Sequence, residues 1–301
     1  MAPIVFFPLV SPHFLASYSM PAISPDFLVG GGYMALLLAG VLVGIVLLVR
    51  LLTAPPDWSV LTENLRSRCW QIPDALRIML IFVLLQVFTA GLHLGAVKLR
   101  LVPGGDDEIS AVFIQGMLFQ VGALLTVAYF IRRHKSSWSG AFGMTLPGLK
   151  QSVGQGLGCY IGLMPVILVT SILYQLFLYV AGYPVTMQDV VAIFMEPHSV
   201  WSLLLLLLMA VVFAPLAEEA LFRGILMPAL MKKTGAGAAV AISSALFALS
   251  HMHLPSLVPL FVLSIALSLL YIYSGSLWSA VMLHAVFNGI SIGILLLACP
   301  G

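Results

Sequence analysis

The sequence predicts an all-α, polytopic transmembrane helical bundle with about eight hydrophobic segments, and three observations carry that prediction. Of the 301 residues, 61% are hydrophobic and only 8% charged, with a mean hydropathy of +1.11; a soluble globular domain carries roughly 25% charged residues. Apolar runs close to the ~20 residues that span a bilayer recur along most of the length. Prolines and charges gather in the gaps between them. Helices are the form these runs must take, because an open sheet would leave backbone groups unpaired in lipid.

The expected spans follow in order. The first, 28–49, ends at Arg50 and "TAPPDW" (53–58). The second, 76–97, precedes "VPGGDDE" (102–108), and the third, 109–131, stops at "RRHKSSWSG" (132–140). A fourth covers 152–181. After a loop at 184–199 come 200–231, 236–251, 256–273 and 277–298. Residues 1–199 form N-terminal membrane spans without a recognised motif, and 200–298 carry all the candidate chemistry; the two parts are expected to make one integrated membrane domain. "MAPIVFFPLVSPHF" has no basic region and three prolines, which is unlike a cleaved signal peptide.

Loop charges predict a topology. Arg50, Arg66, Arg68 and Arg77 flank the first loop, Arg132, Arg133, Lys135 and Lys150 the third, and Lys232 and Lys233 follow the fifth span. The loop at 184–199 has no Lys or Arg. The positive-inside rule makes the basic loops cytoplasmic and the N-terminus external. The basic stretch 132–135 reads first as a topology anchor, with lipid headgroups as a secondary partner. Gly40/Gly44, Gly154/Gly158 and Gly158/Gly162 have the spacing of close helix contacts. A net charge of +2 without a cationic, aromatic-interleaved patch excludes nucleic acid as a partner. Cys69, Cys159 and Cys299 form no paired motif and support neither disulfides nor a cysteine-rich metal site.

Ionisable groups inside a membrane span cost about 2.5–3.5 kcal/mol each on insertion scales, so they direct attention to function. Three stretches contain them: "EEALFR" (218–223), "FALSH" (247–251) and "HAVFN" (284–288). On a helix, Glu219 and Arg223 are i and i+4 and share a face, while Glu218 points about 100° away. Arg223 can therefore neutralise Glu219 and leave Glu218 free as a general base toward water. Phe247 and His251 share a face, and His251 can hold the same water or accept and return its proton. His284 and Asn288, one turn apart, offer N–H donors suited to an oxyanion. The plainer readings are a structural Glu219–Arg223 ion pair, a hydrogen-bonding His93 within the bundle, and solvated His13, His134 and His198.

These three stretches, in this order, resemble the CPBP family, also called Abi, of CAAX prenyl proteases and bacteriocin-processing or immunity proteins. The family pattern is EExxxR, then FxxxH, then HxxxN or HxxxD, and the resemblance covers about 200–298. It implies an intramembrane glutamic endopeptidase that hydrolyses peptide bonds of membrane proteins or peptides. Glu218 would activate water, His251 would position it, and His284 with Asn288 would stabilise the oxyanion. Glu219, Arg223 and Phe247 would support the site. No metal or cofactor is implied, and nothing in the chain marks a pocket for an isoprenoid.

Three alternatives stand beside this reading. Glu218, His251 and His284 match a His₂Glu zinc set in type, although there is no HExxH and Asn288 would be idle. A transporter would spread ionisable residues over several spans and tends to show internal repeats, which this chain lacks. A non-catalytic membrane partner or immunity protein would not need the motifs intact. The expected location is a bacterial cytoplasmic membrane. The closeness of Glu218 to Lys232 along one helix predicts a cavity opening toward the cytoplasm.

Overall fold

The computed structural model describes residues 25–99, 106–184, 186, 193–194 and 199–298. The described residues are helical, with no strand among them. Seven helices are long and apolar enough to cross a membrane. In chain order the helices are α1 (Pro25–Thr53), α2 (Trp58–Arg66), α3 (Ile72–Lys98), α4 (Asp106–Arg133), α5 (Trp138–Phe142) and α6 (Leu149–Val180). Then come α7 (Val200–Thr234), α8 (Ala236–Ser250), α9 (Leu257–Ser274) and α10 (Leu277–Ala298).

The eighth predicted segment, 236–251, is α8, an apolar helix of 15 residues. At 1.5 Å per residue it extends about 22 Å, short of the ~30 Å hydrocarbon core. Two short helices that hydropathy does not reveal lie in the basic loops. The first, α2, starts where the Asp57 side chain accepts the backbone N–H groups of Ser59 and Val60. The Ser59 hydroxyl and those two N–H groups hold the Asp57 carboxyl below its ordinary value. The second, α5, is capped by Ser137 and ends at Gly143, whose φ of 71° favours glycine.

The basic loops meet at one end of the bundle. Arg68 donates to the carbonyls of Ser139, Gly140 and Gly275, and Lys232 to those of Arg68 and Trp70. Arg66 reaches the Met231 carbonyl. His134, expected to be solvated, instead sits 3.0 Å from Asp74 and edge-on to Trp70. The contact ties the end of α4 to a buried carboxylate on α3, which the loop position of His134 did not reveal. His13 and His198 lie outside the described residues.

Two of the expected small-residue contacts form. A Cβ on Gly40 would come 2.5 Å from the Ile161 carbonyl oxygen, and one on Gly44 3.4 Å from that of Gly162, so α1 and α6 pack backbone to backbone. Gly154 and Gly158 face open space instead. The close approach on that stretch is at Gly156, where a Cβ would come 2.8 Å from the backbone N of Leu283 in α10. His93, half-buried on α3, makes no hydrogen bond to a described residue.

The main core is continuous through α3, α4 and α6–α10. Within it α7 is irregular: Met209–Phe213 and Ala220–Leu226 are π-helical, with an ordinary turn, Ala214–Glu219, between them. Two prolines account for this. The N–H of Ala214 bonds to Met209 O and that of Met227 to Phe222 O, both five residues back, and the next residues, Pro215 and Pro228, have no N–H. A proline ring also clashes with the carbonyl four residues earlier in an α-helix, and the wider turn relieves it.

Candidate active site

The short turn between the two π segments presents Glu218 and Glu219. Glu219 is fully buried, and its Oε1 accepts a hydrogen bond from Arg223 Nη1 at 2.8 Å. The i, i+4 pairing expected from helical phase therefore forms, although Arg223 lies in the wider turn. Arg223, also fully buried, donates through Nη2 to Ser264 Oγ on α9 at 2.6 Å and stands 4.2 Å over the Phe247 ring. An arginine is tolerable there because the carboxylate, the hydroxyl and the ring together replace its hydration.

His284 of α10 joins the same carboxylate, with Nδ1 2.8 Å from Glu219 Oε1. A carboxylate paired with Arg223 accepts and does not donate, so Nδ1 carries the proton. In neutral His284, Nε2 then bears the lone pair. His251, at the end of α8, is arranged alike: Nδ1 is 2.6 Å from the Phe247 carbonyl, which only accepts. Phe247 is buried between the two imidazoles, at 4.8 Å from His251 and 5.8 Å from His284, ring centre to ring centre.

Both Nε2 atoms face Glu218. Glu218 Oε2 is 4.0 Å from His251 Nε2 and 3.9 Å from His284 Nε2. All three atoms are buried and have no hydrogen-bond partner. Buried polar atoms in a folded protein are rarely left so, and three of them around one point define a place for a polar guest. Two hydrogen bonds of ~2.8 Å meeting at one water leave their far ends about 4–4.5 Å apart, close to the separations seen. Ligands of a tetrahedral zinc, at ~2.0–2.1 Å, stand roughly 3.3 Å apart, so these side chains would have to close by more than about half an ångström. Glu218, His251 and His284 are the residues that would hold such an ion, and none of the described His, Cys, Asp and Glu groups has metal-binding geometry.

Asn288 shows what the first π turn does. Its Nδ2 donates to the carbonyl of Ala210 at 2.9 Å. In a regular helix that carbonyl would take the N–H of Ala214, which here goes to Met209. The next donor along would be Pro215, which has none. Pro215 therefore leaves Ala210 O open, and Asn288 uses it. This orients the carboxamide, leaving one Nδ2–H and a buried, unpartnered Oδ1 for other contacts.

Residues 200–290, which contain all three motifs, match the model of the family described as Type II CAAX prenyl endopeptidase Rce1-like. The match agrees with the CPBP resemblance carried by the three motifs. No curated protein and no solved structure matches the chain. The matched residues take in α7, α8, α9 and the first part of α10, and the match supports a peptidase in general. Motif spacing anticipated the seven side chains gathered here. It missed Ser264, Ser243, whose hydroxyl donates to Phe222 O in the second π turn, and the Ala210 carbonyl. A serine in "SIALS" (264–268) and prolines at 215 and 228 were the available signals.

Proposed function

We propose that this protein is an intramembrane endopeptidase that cleaves peptide bonds of membrane-associated proteins or peptides with a water activated by Glu218. The observation that carries the reading is the trio of buried, unpartnered atoms Glu218 Oε2, His251 Nε2 and His284 Nε2 around one water-sized gap. The water donates one O–H to Glu218 and the other to His251 Nε2. Its oxygen attacks the peptide carbonyl carbon as its proton passes to Glu218.

The carbonyl oxygen becomes an oxyanion. His284, held through Nδ1 by Glu219, stabilises it by donating from Nε2 as the imidazolium. Asn288 adds its remaining N–H. Collapse of the intermediate breaks the C–N bond, and the proton held on Glu218 passes to the leaving amine. A carboxylic acid and an amine result, and Glu218 returns to its carboxylate.

The basic loops make one end of the bundle, and the positive-inside rule assigns that end to the cytoplasm. On the same alternation the N-terminus is external. The decisive experiment compares membrane peptides between cells carrying the native protein and cells carrying Glu218→Gln. Peptides that depend on Glu218 support the reading, and identical peptide sets overturn it.

A zinc-bound water is the second reading, favoured by one observation. Both histidines direct Nδ1–H to a carboxylate or carbonyl and turn Nε2 inward, as metal-ligating histidines do. Activity that survives exhaustive chelation supports the metal-free reading. Loss that added zinc reverses supports the other.

A further inference from the structure

Among the described residues, the candidate site is packed unequally on its two sides. From Glu219 to Ala229, every residue of α7 is buried. Around that stretch Leu267, Tyr271, Ala280 and Leu283 are fully enclosed, so a closely packed core fills the space between the site and the basic loops. On the other side of Glu218 the packing thins. Trp201, Leu204, Leu208 and Val212 of α7 are exposed, and Glu218 itself keeps 16% of its side chain accessible where Glu219 and Arg223 have none.

The helix α8 runs the same way. It leaves the basic end at Ala236, beside Lys232 and Lys233, and reaches His251 about 22 Å further on. There it stops. Met252 takes a left-handed φ of 50° and is 94% exposed, so the chain turns away just past the site. His253, two residues on, is within hydrogen-bond distance of the Thr186 carbonyl in the α6–α7 connection, at the end of the bundle away from the basic loops. The expectation of a cytoplasmic opening rested on the nearness of Lys232. That lysine is 14 positions from Glu218, about 21 Å of helix that is buried at every residue from Glu219 to Ala229.

Charge fixes which side is which. Four of the 13 Lys and Arg residues lie between 50 and 77, four between 132 and 150, and two at 232–233. Those loops are one surface, joined through Arg68, Lys232 and Arg66. We infer that the site takes its substrate from the membrane face opposite the basic loops. The bond cleaved then belongs to a peptide segment at or beyond the non-cytoplasmic leaflet: an exported peptide, or the external flank of a membrane span. The word substrate rests on the peptidase reading; the direction of access does not.

Single-cysteine variants of the full chain, on a background with Cys69, Cys159 and Cys299 replaced by Ser, test this without any cleavage assay. Met252→Cys, Lys233→Cys and Glu218→Cys are treated with a small membrane-impermeant thiosulfonate in right-side-out and inside-out vesicles. Met252→Cys and Glu218→Cys are expected to react in right-side-out vesicles, at least tenfold faster than in inside-out ones, with Lys233→Cys showing the reverse. Reaction of Glu218→Cys from the inside-out face, or from neither face, overturns the inference. Met252→Cys decides orientation even if Glu218→Cys does not fold. Labelling as expected with no Glu218-dependent peptides would overturn the peptidase reading alone.

Discussion

Two charged clusters sit in this apolar chain, and they differ in what their polar atoms lack. At the basic end, Lys232 spends its ammonium on two carbonyls at 2.6 and 2.8 Å, and Arg68 reaches three more. Arg68 keeps one unpartnered nitrogen, Nε, on a guanidinium whose other two nitrogens are bonded. At the site, Arg223 and Glu219 are bonded too, each keeping one unpartnered atom (Nε and Oε2), and both Nδ1 atoms are bonded. Yet Glu218 Oε2 and both Nε2 atoms remain open, buried and mutually close. The first cluster ties loops together. The second is a bonded frame around a gap, which is what a reaction with water needs.

The largest effect should come from filling the gap's chemistry with nothing. Glu218→Gln keeps the volume and removes the base, so kcat should fall by about 10²–10⁴. Thermal unfolding should be unchanged or shifted upward, because a carboxylate without partners is removed from a buried position. Purified protein in nanodiscs gives both readings, and a retained kcat would collapse the distinction between the clusters. Arg223→Met attacks the frame instead. It strands Glu219 as a buried carboxylate beside an apolar side chain, a loss of about 3–5 kcal/mol of stability. Adding Glu219→Gln should recover most of that loss while leaving the protein inactive, since His284 then loses its carboxylate partner.

How far the sequence went can be judged on these same residues. The Glu219–Arg223 pair was legible because i, i+4 spacing survives in a turn that is wider than α-helical. That Glu218 and His251 share a water was posed from residue types and strengthened by the motif resemblance, since contacts between separate helices leave no periodicity in one sequence. The spans were legible from hydropathy, and α8 was visible as an apolar run, but not that it ends at the site. The expected cytoplasmic opening followed distance along α7, whereas the access proposed above follows burial around it. Helical register cannot report which stretches neighbouring helices enclose. The His134–Asp74 contact was invisible for a similar reason, because it joins the residue after α4 to the first turn of α3.

Pro215→Ala gives a smaller effect and separates frame from gap more finely. Alanine restores an N–H and helix propensity, so the protein should unfold at the same temperature or higher. The Ala210 carbonyl is then claimed within α7, and Asn288 loses its anchor. We expect kcat to fall about tenfold, a part of the ~10²–10³ that loss of an oxyanion donor costs. The double variant with Asn288→Ala should be no slower than Asn288→Ala alone. Multiplicative losses would mean that Pro215 acts on something other than Asn288.

Lys232→Met should give the smallest effect, and it tests the comparison from the other side. Methionine keeps most of the stem that packs against the loops and removes the ammonium. Two carbonyls, Arg68 O and Trp70 O, lose their donor, at about 1–3 kcal/mol for each buried group left unsatisfied. Lys232 is only partly buried, so water can reach the site of the loss, and the total should fall near the low end of that range. The expected result is a modest drop in unfolding temperature with kcat per folded molecule unchanged. The reason is distance and packing: the π turn at Ala220–Leu226 and the ordinary turn after it lie between Lys232 and Glu218. Such a wider turn can absorb a small shift at one end of α7 without passing it to the other. If kcat falls together with stability, α7 transmits that shift as one rigid rod, and the basic end then positions Glu218.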